Sequence, residues 1–180
     1  MQHPEKLIIP RANYITISGQ GSPEGSFFAE CTQALFSVAS CIQKATTLSF
    51  PIANLEARFW ASNDVELVNI PRTQWKWKLL LQQQNDLTTK AFDTAKADAW
   101  AANKLPLIAD VKLESWECGP CIQLLHTGHH SDIPASVEKI KAFMMQEKME
   151  QKGHHQEIYL ANGKTTLPEE NKTIVRIRIK

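Results

Sequence analysis

The order in which two hydrophobic periodicities succeed each other constrains this chain most. A period of two, the signature of a strand with one face covered, runs from Leu7-Ile8-Ile9 to Tyr14-Ile15-Thr16-Ile17 and ends at the turn-forming run Gly19-Gln20-Gly21-Ser22-Pro23. A helical period of about 3.6 follows, carried by Phe27 or Phe28 and then Cys31, Leu35, Val38 and Ile42, to an end near Lys44. Period two returns in Leu55-Glu56-Ala57-Arg58-Phe59-Trp60 and, after a polar loop, in Trp75-Lys76-Trp77-Lys78-Leu79. Beyond Asp86 and Thr88, the residues Ala91, Phe92, Ala95 and Ala99 mark a linking helix that stops before Leu105-Pro106.

The same order then recurs. Val111 to Trp116 and Cys121 to Leu125 read as two strands meeting in a hairpin at Gly119-Pro120. Asp132 and Pro134 open a third helix with Val137, Ile140 and Met144 on one face and Phe143 on the adjoining side, and Gly153 stands where a helix C-terminus needs a left-handed residue. Two strands close the chain, Glu157-Ile158-Tyr159-Leu160 and Lys172 to Ile177. The predicted fold is α+β, one domain over residues 1–180 whose order of elements suggests an internal duplication of a strand-helix-strand-strand unit, about 7–87 and 108–180. In that frame Leu55-Glu56-Ala57-Arg58 corresponds to Gln156-Glu157-Ile158-Tyr159, and a pseudo-two-fold axis brings Glu56 and Glu157 toward one cleft.

A length of 180 residues with 43% hydrophobic residues suits a single core. The formal charge is +1 and the basic residues are dispersed, so nucleic acid is not an expected partner. No apolar run approaches the roughly 20 residues that cross a bilayer, and Met1-Gln2-His3-Pro4-Glu5-Lys6 lacks the apolar centre of a secretion signal. A cytoplasmic protein with no membrane partner is expected, and with it free thiols at Cys31, Cys41, Cys118 and Cys121.

Cys118-Gly119-Pro120-Cys121 has the spacing of a thioredoxin-like redox motif, which needs one thiolate at a helix N-terminus. The surrounding Ile122-Gln123-Leu124-Leu125-His126 instead reads as strand, with no preceding βαβ unit. A zinc site from Cys118, Cys121 and two of His126, His129 and His130 has suitable ligand types, but an extended run from Cys121 to His126 cannot wrap around one ion. Neither metal nor cofactor is expected.

More informative is how rings and acids fall on strand faces. Alternation puts Glu56, Arg58 and Trp60 on one face, Trp75 and Trp77 on another, and Glu157 with Tyr159 and His155 on a third. Each acid alone is as readily a solvated or ion-paired residue, with Arg58, Arg176 or Arg178 as partner, and each tryptophan an ordinary core residue. Together they suit a mostly apolar pocket with a few converging polar groups. A carboxylate desolvated among rings has its pKa raised and, once ionised, attracts a cation or polarises a water.

With those residues in view, the chain resembles a stand-alone member of the gyrase-inhibitor-like small-molecule-binding family, related to the effector domains of multidrug-responsive transcription activators. The resemblance rests on Ile17-Ser18-Gly19-Gln20-Gly21 with Pro23, Ala34 to Ala39, Leu55-Glu56 with Trp60, Trp75-Lys76-Trp77, Gln123-Leu124-Leu125-His126-Thr127-Gly128, Glu157-Ile158-Tyr159-Leu160 and Lys172-Thr173-Ile174-Val175-Arg176. It implies two tandem strand-helix-strand-strand repeats whose antiparallel sheets flank a central cleft for hydrophobic, often cationic, organic ligands, with Glu157 as its glutamate, and it makes Cys121 a strand residue. Some stand-alone relatives are hydrolases that open strained cyclopropane rings of toxic natural products. His130 stands where the family has a pocket tyrosine and Ile133 where it has an acid, while Gln156 separates the histidine pair from Glu157.

Two functions follow as expectations. One is binding of a small hydrophobic or cationic organic molecule, for sequestration or sensing, by Glu157, Tyr159, Trp60, Trp75, Trp77, Glu56, His126 and His130. The other is hydrolysis of a strained electrophile with Glu157 as general base on a water. A third, the gripping of a partner protein through a surface patch, has little support in the sequence.

Overall fold

The computed structural model describes residues 3–45, 51–62, 66–160 and 168–180. Among them are β1 (Glu5–Gln20), α1 (Ser26–Ala45), β2 (Leu55–Trp60), β3 (Lys76–Gln83), α2 (Thr89–Asn103), β4 (Lys112–Thr127), α3 (Ile133–Gln146), β5 (Gln151–Tyr159) and β6 (Lys172–Ile179). The class is α+β, and the β1–β3, β2–β5, β5–β6 and β4–β6 pairs are all antiparallel. The chain divides into two compact units, one of Met1–Arg11, Asn54–Trp60 and Glu117–Lys180 and one of Ala12–Ala53 and Ala61–Trp116. Neither is a continuous stretch, because β2 belongs to the first unit and the remaining divisions fall inside β1 and β4.

In the first unit the strands run in the order β2-β5-β6-β4. Cross-strand pairs Ile122↔Ile177 and Leu124↔Val175 point their side chains to one face. There they join Ile133, Ile140 and Met144 of α3 in a core cluster, with Val137 and Phe143 partly buried against it. The stripe read from the sequence is therefore the packed one. Pro134 sits in the first turn of α3, where its missing N–H breaks no helical bond. The helix ends at Gln146, and Lys148 (φ +54°), not Gly153, takes the left-handed position after it, with the Met149 amide donating to the Met144 carbonyl at 2.8 Å. Gly153 (φ +77°) lies instead within β5, where the register against β6 shifts between Gln151 and His155.

In the second unit Ile15↔Leu81, Ile17↔Leu79 and Gly19↔Trp77 are paired across β1 and β3. Helix α1 buries Cys31, Ala34, Leu35, Val38, Ala39 and Ile42, the predicted stripe from Cys31 onward with two alanines added, while Phe27 is exposed and Phe28 half-buried. Helix α2 is capped by the Thr88 hydroxyl, which accepts from the Ala91 amide at 3.2 Å, and Phe92, Ala95 and Ala99 face inward. Gly19 is required by close approach: a Cβ there would lie 2.3 Å from the indole of Trp77, which is fully buried.

The hairpin expected at Gly119-Pro120 does not form, and β4 is one uninterrupted strand of 16 residues. Gly119 adopts φ +69°, so the left-handed residue that would have turned the chain is absorbed as a local irregularity inside a strand. The exposed Pro120 lacks an N–H, which is tolerable at such a point.

Candidate functional site

The first unit brings the predicted acid and its neighbours together. Glu157 pairs with Ala57 on β2 and with Val175 on β6, which places it on the face that α3 covers. It is 7% exposed. The Tyr159 hydroxyl donates to Glu157 Oε2 at 2.8 Å, and His155 Nε2 lies 3.1 Å from Oε1, both from the same strand two residues away on either side. The Phe59 ring is tilted against His155 with centroids 5.9 Å apart. A carboxylate holds about four acceptor sites, so two donors leave lone pairs for a ligand or a water. Each charge-assisted bond contributes about 1.5–3 kcal/mol and fixes the orientation of the acid.

Glu56 does not share this place. It pairs with Ile158, so it projects from the opposite face of the sheet, and the two glutamates do not converge as the repeat correspondence predicted. The reason is register: β2 and β5 are hydrogen-bonded neighbours, and Ala57, not Glu56, stands across from Glu157. Glu56 is 6% exposed, accepts from the Gln156 side-chain amide, and has its pKa pushed up to about 7, by burial first and against the pull of Arg176 and of that hydrogen bond. The raised carboxylate pKa expected from desolvation is thus present at Glu56. The same face carries a ladder of polar groups in which Arg176 donates to Gln123 at 3.1 Å and Gln123 donates to Glu5 at 2.8 Å.

The other predicted residues are dispersed. Trp60 alternates with Glu56 and Arg58, away from the Glu157 face, and stacks on His154 at 5.4 Å. His126 is buried and held at both nitrogens, Nδ1 by Ser136 Oγ at 2.9 Å and Nε2 by the His129 carbonyl at 3.1 Å, so it ties β4 to the start of α3. His130 is exposed, its ring 4.1 Å from that of His129. In the second unit, Trp77 donates to the Gly21 carbonyl at 3.1 Å and packs against Phe27 and Phe28, with centroids at 5.7 and 5.0 Å. Trp75 precedes β3, donates to the Leu67 carbonyl at 3.2 Å and lies under the Arg72 guanidinium. The two indoles therefore have separate surroundings. That unit also holds a polar recess of about 240 Å³ lined by Thr16, Ser18, Lys78, Asp110, Lys112 and Glu114, whose charged walls do not suit an apolar molecule. Among the described residues no group of three or more His, Cys, Asp or Glu side chains converges as metal ligands would, and no helix is long and apolar enough to cross a membrane.

Phe59 was not singled out in the sequence, and His155 was noted only as sharing a strand face. Alternation could have flagged Phe59 two positions beyond Ala57, but only the β2–β5 register puts it beside His155.

Comparison with known proteins bears on this arrangement. No protein-family model matches the sequence, and no curated protein does either. Among solved structures the chain is similar to an uncharacterized conserved protein from Listeria innocua, with 28% identity and a TM-score of 0.90 over 99% of this chain and 93% of that one. It is also similar to a hydrolase from Listeria innocua, with 27% identity and a TM-score of 0.84 over 99% and 92%. The C-terminal domain of EcmrR matches at a TM-score of 0.65 over 100% and 98%, but at 8% identity, so it speaks to the fold alone. These likenesses are consistent with the gyrase-inhibitor-like fold that the motifs suggest.

Proposed function

We propose that this chain binds a small, largely apolar organic molecule beside Glu157 and hydrolyses it at an electrophilic carbon. The observation that carries this reading is the buried Glu157 carboxylate, held at both oxygens by Tyr159 and His155 with Phe59 alongside. A base must be held within reach of the proton it removes, and a carboxylate pinned by two donors while keeping unused lone pairs meets that need. In the proposed step Glu157 takes a proton from water as the oxygen attacks carbon. The carbon–carbon bond that breaks leaves its electron pair on the departing carbon, which takes a proton from the Tyr159 hydroxyl, and the proton on Glu157 returns to the phenolate across the hydrogen bond that the two side chains share. Strained rings such as cyclopropanes are the favoured substrate class, because relief of strain provides a leaving carbon without a metal. The similarity to a Listeria innocua hydrolase over nearly the whole chain supports this reading.

The second reading is sequestration without turnover of a hydrophobic or cationic molecule anchored by the same acid. It is favoured by the EcmrR likeness only as far as fold goes. One experiment separates the two. A cyclopropane-bearing alkylator is incubated with the protein, and the mixture is analysed by mass spectrometry while tryptophan fluorescence reports binding. A product heavier by one water, absent with Glu157→Gln although binding persists, supports hydrolysis. Saturable binding without product supports sequestration, and no binding by any apolar or cationic probe overturns both.

A further inference from the structure

The polar recess of the second unit takes no part in the chemistry above. Its volume of about 240 Å³ lies below the roughly 300–1,000 Å³ of pockets that enclose drug-sized ligands, so it suits a small polar molecule. It is built on β1. Thr16 and Ser18 share one face of that strand by alternation, and Lys78 stands across from Ser18 on β3. Strand β1 lies between β3 and β4, and Lys78 Nζ donates to both oxygens of Glu114 on β4, at 3.0 and 2.7 Å. This ion pair therefore spans β1 and walls the recess. Farther along the same face the chain turns apolar, with Ala12, Tyr14 and Leu80 clustered and Trp116 packed against them.

Three polar groups in the recess are unused. Thr16 is 2% exposed and its hydroxyl makes no hydrogen bond, although among the described residues no fully buried side-chain nitrogen or oxygen lacks a partner. That hydroxyl is therefore open to the recess it lines, and its partner has to come from there. Asp110 and Lys112 are exposed and likewise have no ion pair or side-chain hydrogen bond among the described residues. Separated by the extended Val111, their backbones stand roughly 7 Å apart. The recess thus offers one cation, one anion and one hydroxyl, while its second lysine and second acid neutralise each other.

That inventory selects among ligands. A phosphate needs a surplus of positive charge, and here two lysines meet two acids. A divalent cation needs several free oxygen ligands, and Glu114 is already engaged by Lys78. An apolar molecule would strand the charged walls without water. We propose that this recess binds a small zwitterion of the amino-acid class, its carboxylate received by Lys112 and the Thr16 hydroxyl and its ammonium by Asp110. The site lies apart from Glu157, on residues of the other unit, and does not depend on what Glu157 does.

The test titrates isotope-labelled full-length protein with L-serine and L-glutamine and, in parallel, with propionate, ethylamine and inorganic phosphate, following backbone amide shifts by NMR. The expected result is saturable shifts with at least one of the amino acids, confined to the amides around Thr16, Lys78 and Asp110 to Glu114. Propionate and ethylamine, which keep one of the two charges each, should bind at least about tenfold more weakly. Asp110→Asn and Lys112→Gln, both at exposed positions, should each weaken amino-acid binding about tenfold. Thr16→Val should weaken it about fivefold without lowering the melting temperature, because the lost hydroxyl had no partner within the fold. Saturation by phosphate at lower concentration than by either amino acid, propionate or ethylamine binding as tightly as the amino acids, no saturable shift with any probe, or full affinity in Asp110→Asn would overturn the proposal.

Discussion

Two glutamates on neighbouring strands are buried almost equally, Glu56 at 6% and Glu157 at 7% exposure, yet they face opposite sides of one sheet. Glu157 looks onto the α3-covered face and is held by a phenol and an imidazole beside an aromatic ring. Glu56 looks onto a face of amides and guanidiniums and is pushed toward its protonated form by burial. Depth alone therefore does not distinguish the acid proposed as a base from its neighbour. The partners do, and in a sheet those are assigned by whether a residue is odd or even in its strand.

The most direct way to break this contrast is to neutralise each acid in turn. Glu157→Gln is expected to lower turnover of a strained electrophile by about 10²–10⁴-fold, the usual worth of a general base. Glu56→Gln should leave turnover within about twofold. Initial-rate measurements on both variants check this, and equal losses would erase the distinction.

Stability should respond in the reverse sense. The Glu56 pKa rises from 4.5 to about 7 on folding, so between those values the folded state binds more protons than the unfolded one and stability declines as pH rises. Below 4.5 the acid is protonated in both states and the effect vanishes. Replacing it by Gln removes this dependence, giving a gain that grows across the window to about 3 kcal/mol above pH 7. Urea unfolding at pH 4, 6 and 8 reads it out, and a flat difference across that range would contradict it.

Much of this contrast is legible in the sequence, and the part that is not has a common cause. Helical stripes such as Val137, Ile140 and Met144 announce themselves because every member lies on one element, and the buried side of α3 carries Ile140 and Met144 with Val137 packed at its edge. The clustering of His155, Glu157 and Tyr159 was equally local, a matter of counting by two along β5. What could not be read was register between strands. The supposed convergence of Glu56 with Glu157 and of Trp60 with Tyr159 failed because a shift of one residue sends a side chain to the other face. Gly119 and Gly153 misled for a related reason: a glycine tolerates a positive φ in a turn, a cap or a strand irregularity, and only the surrounding hydrogen bonds decide which.

A milder perturbation sharpens the Glu157 side. Tyr159→Phe keeps the ring and deletes the hydroxyl that donates to Oε2 at 2.8 Å, so the acid loses one of its two restraints and the candidate proton donor. Turnover should drop about tenfold, while the affinity for an apolar ligand, read by fluorescence, changes less than about threefold. An equal loss in both would mean that the hydroxyl merely shapes the pocket.

The smallest expected effect concerns the amide that supports Glu56. Gln156→Leu removes a donor that favours the ionised carboxylate, so the Glu56 pKa should climb further and the stability lost to the substitution should depend on pH. When the acid is charged, above about pH 7, the folded state forfeits a charge-assisted bond and should lose about 1 kcal/mol more than it does at pH 5, where the protonated acid needs that donor less. Combined with Glu56→Gln, the extra loss at high pH should disappear, because the charge that made it is gone. Coupling that persisted in the double variant at pH 8 would show that Gln156 acts through packing, and the Glu56 face would then owe its character to shape instead of charge.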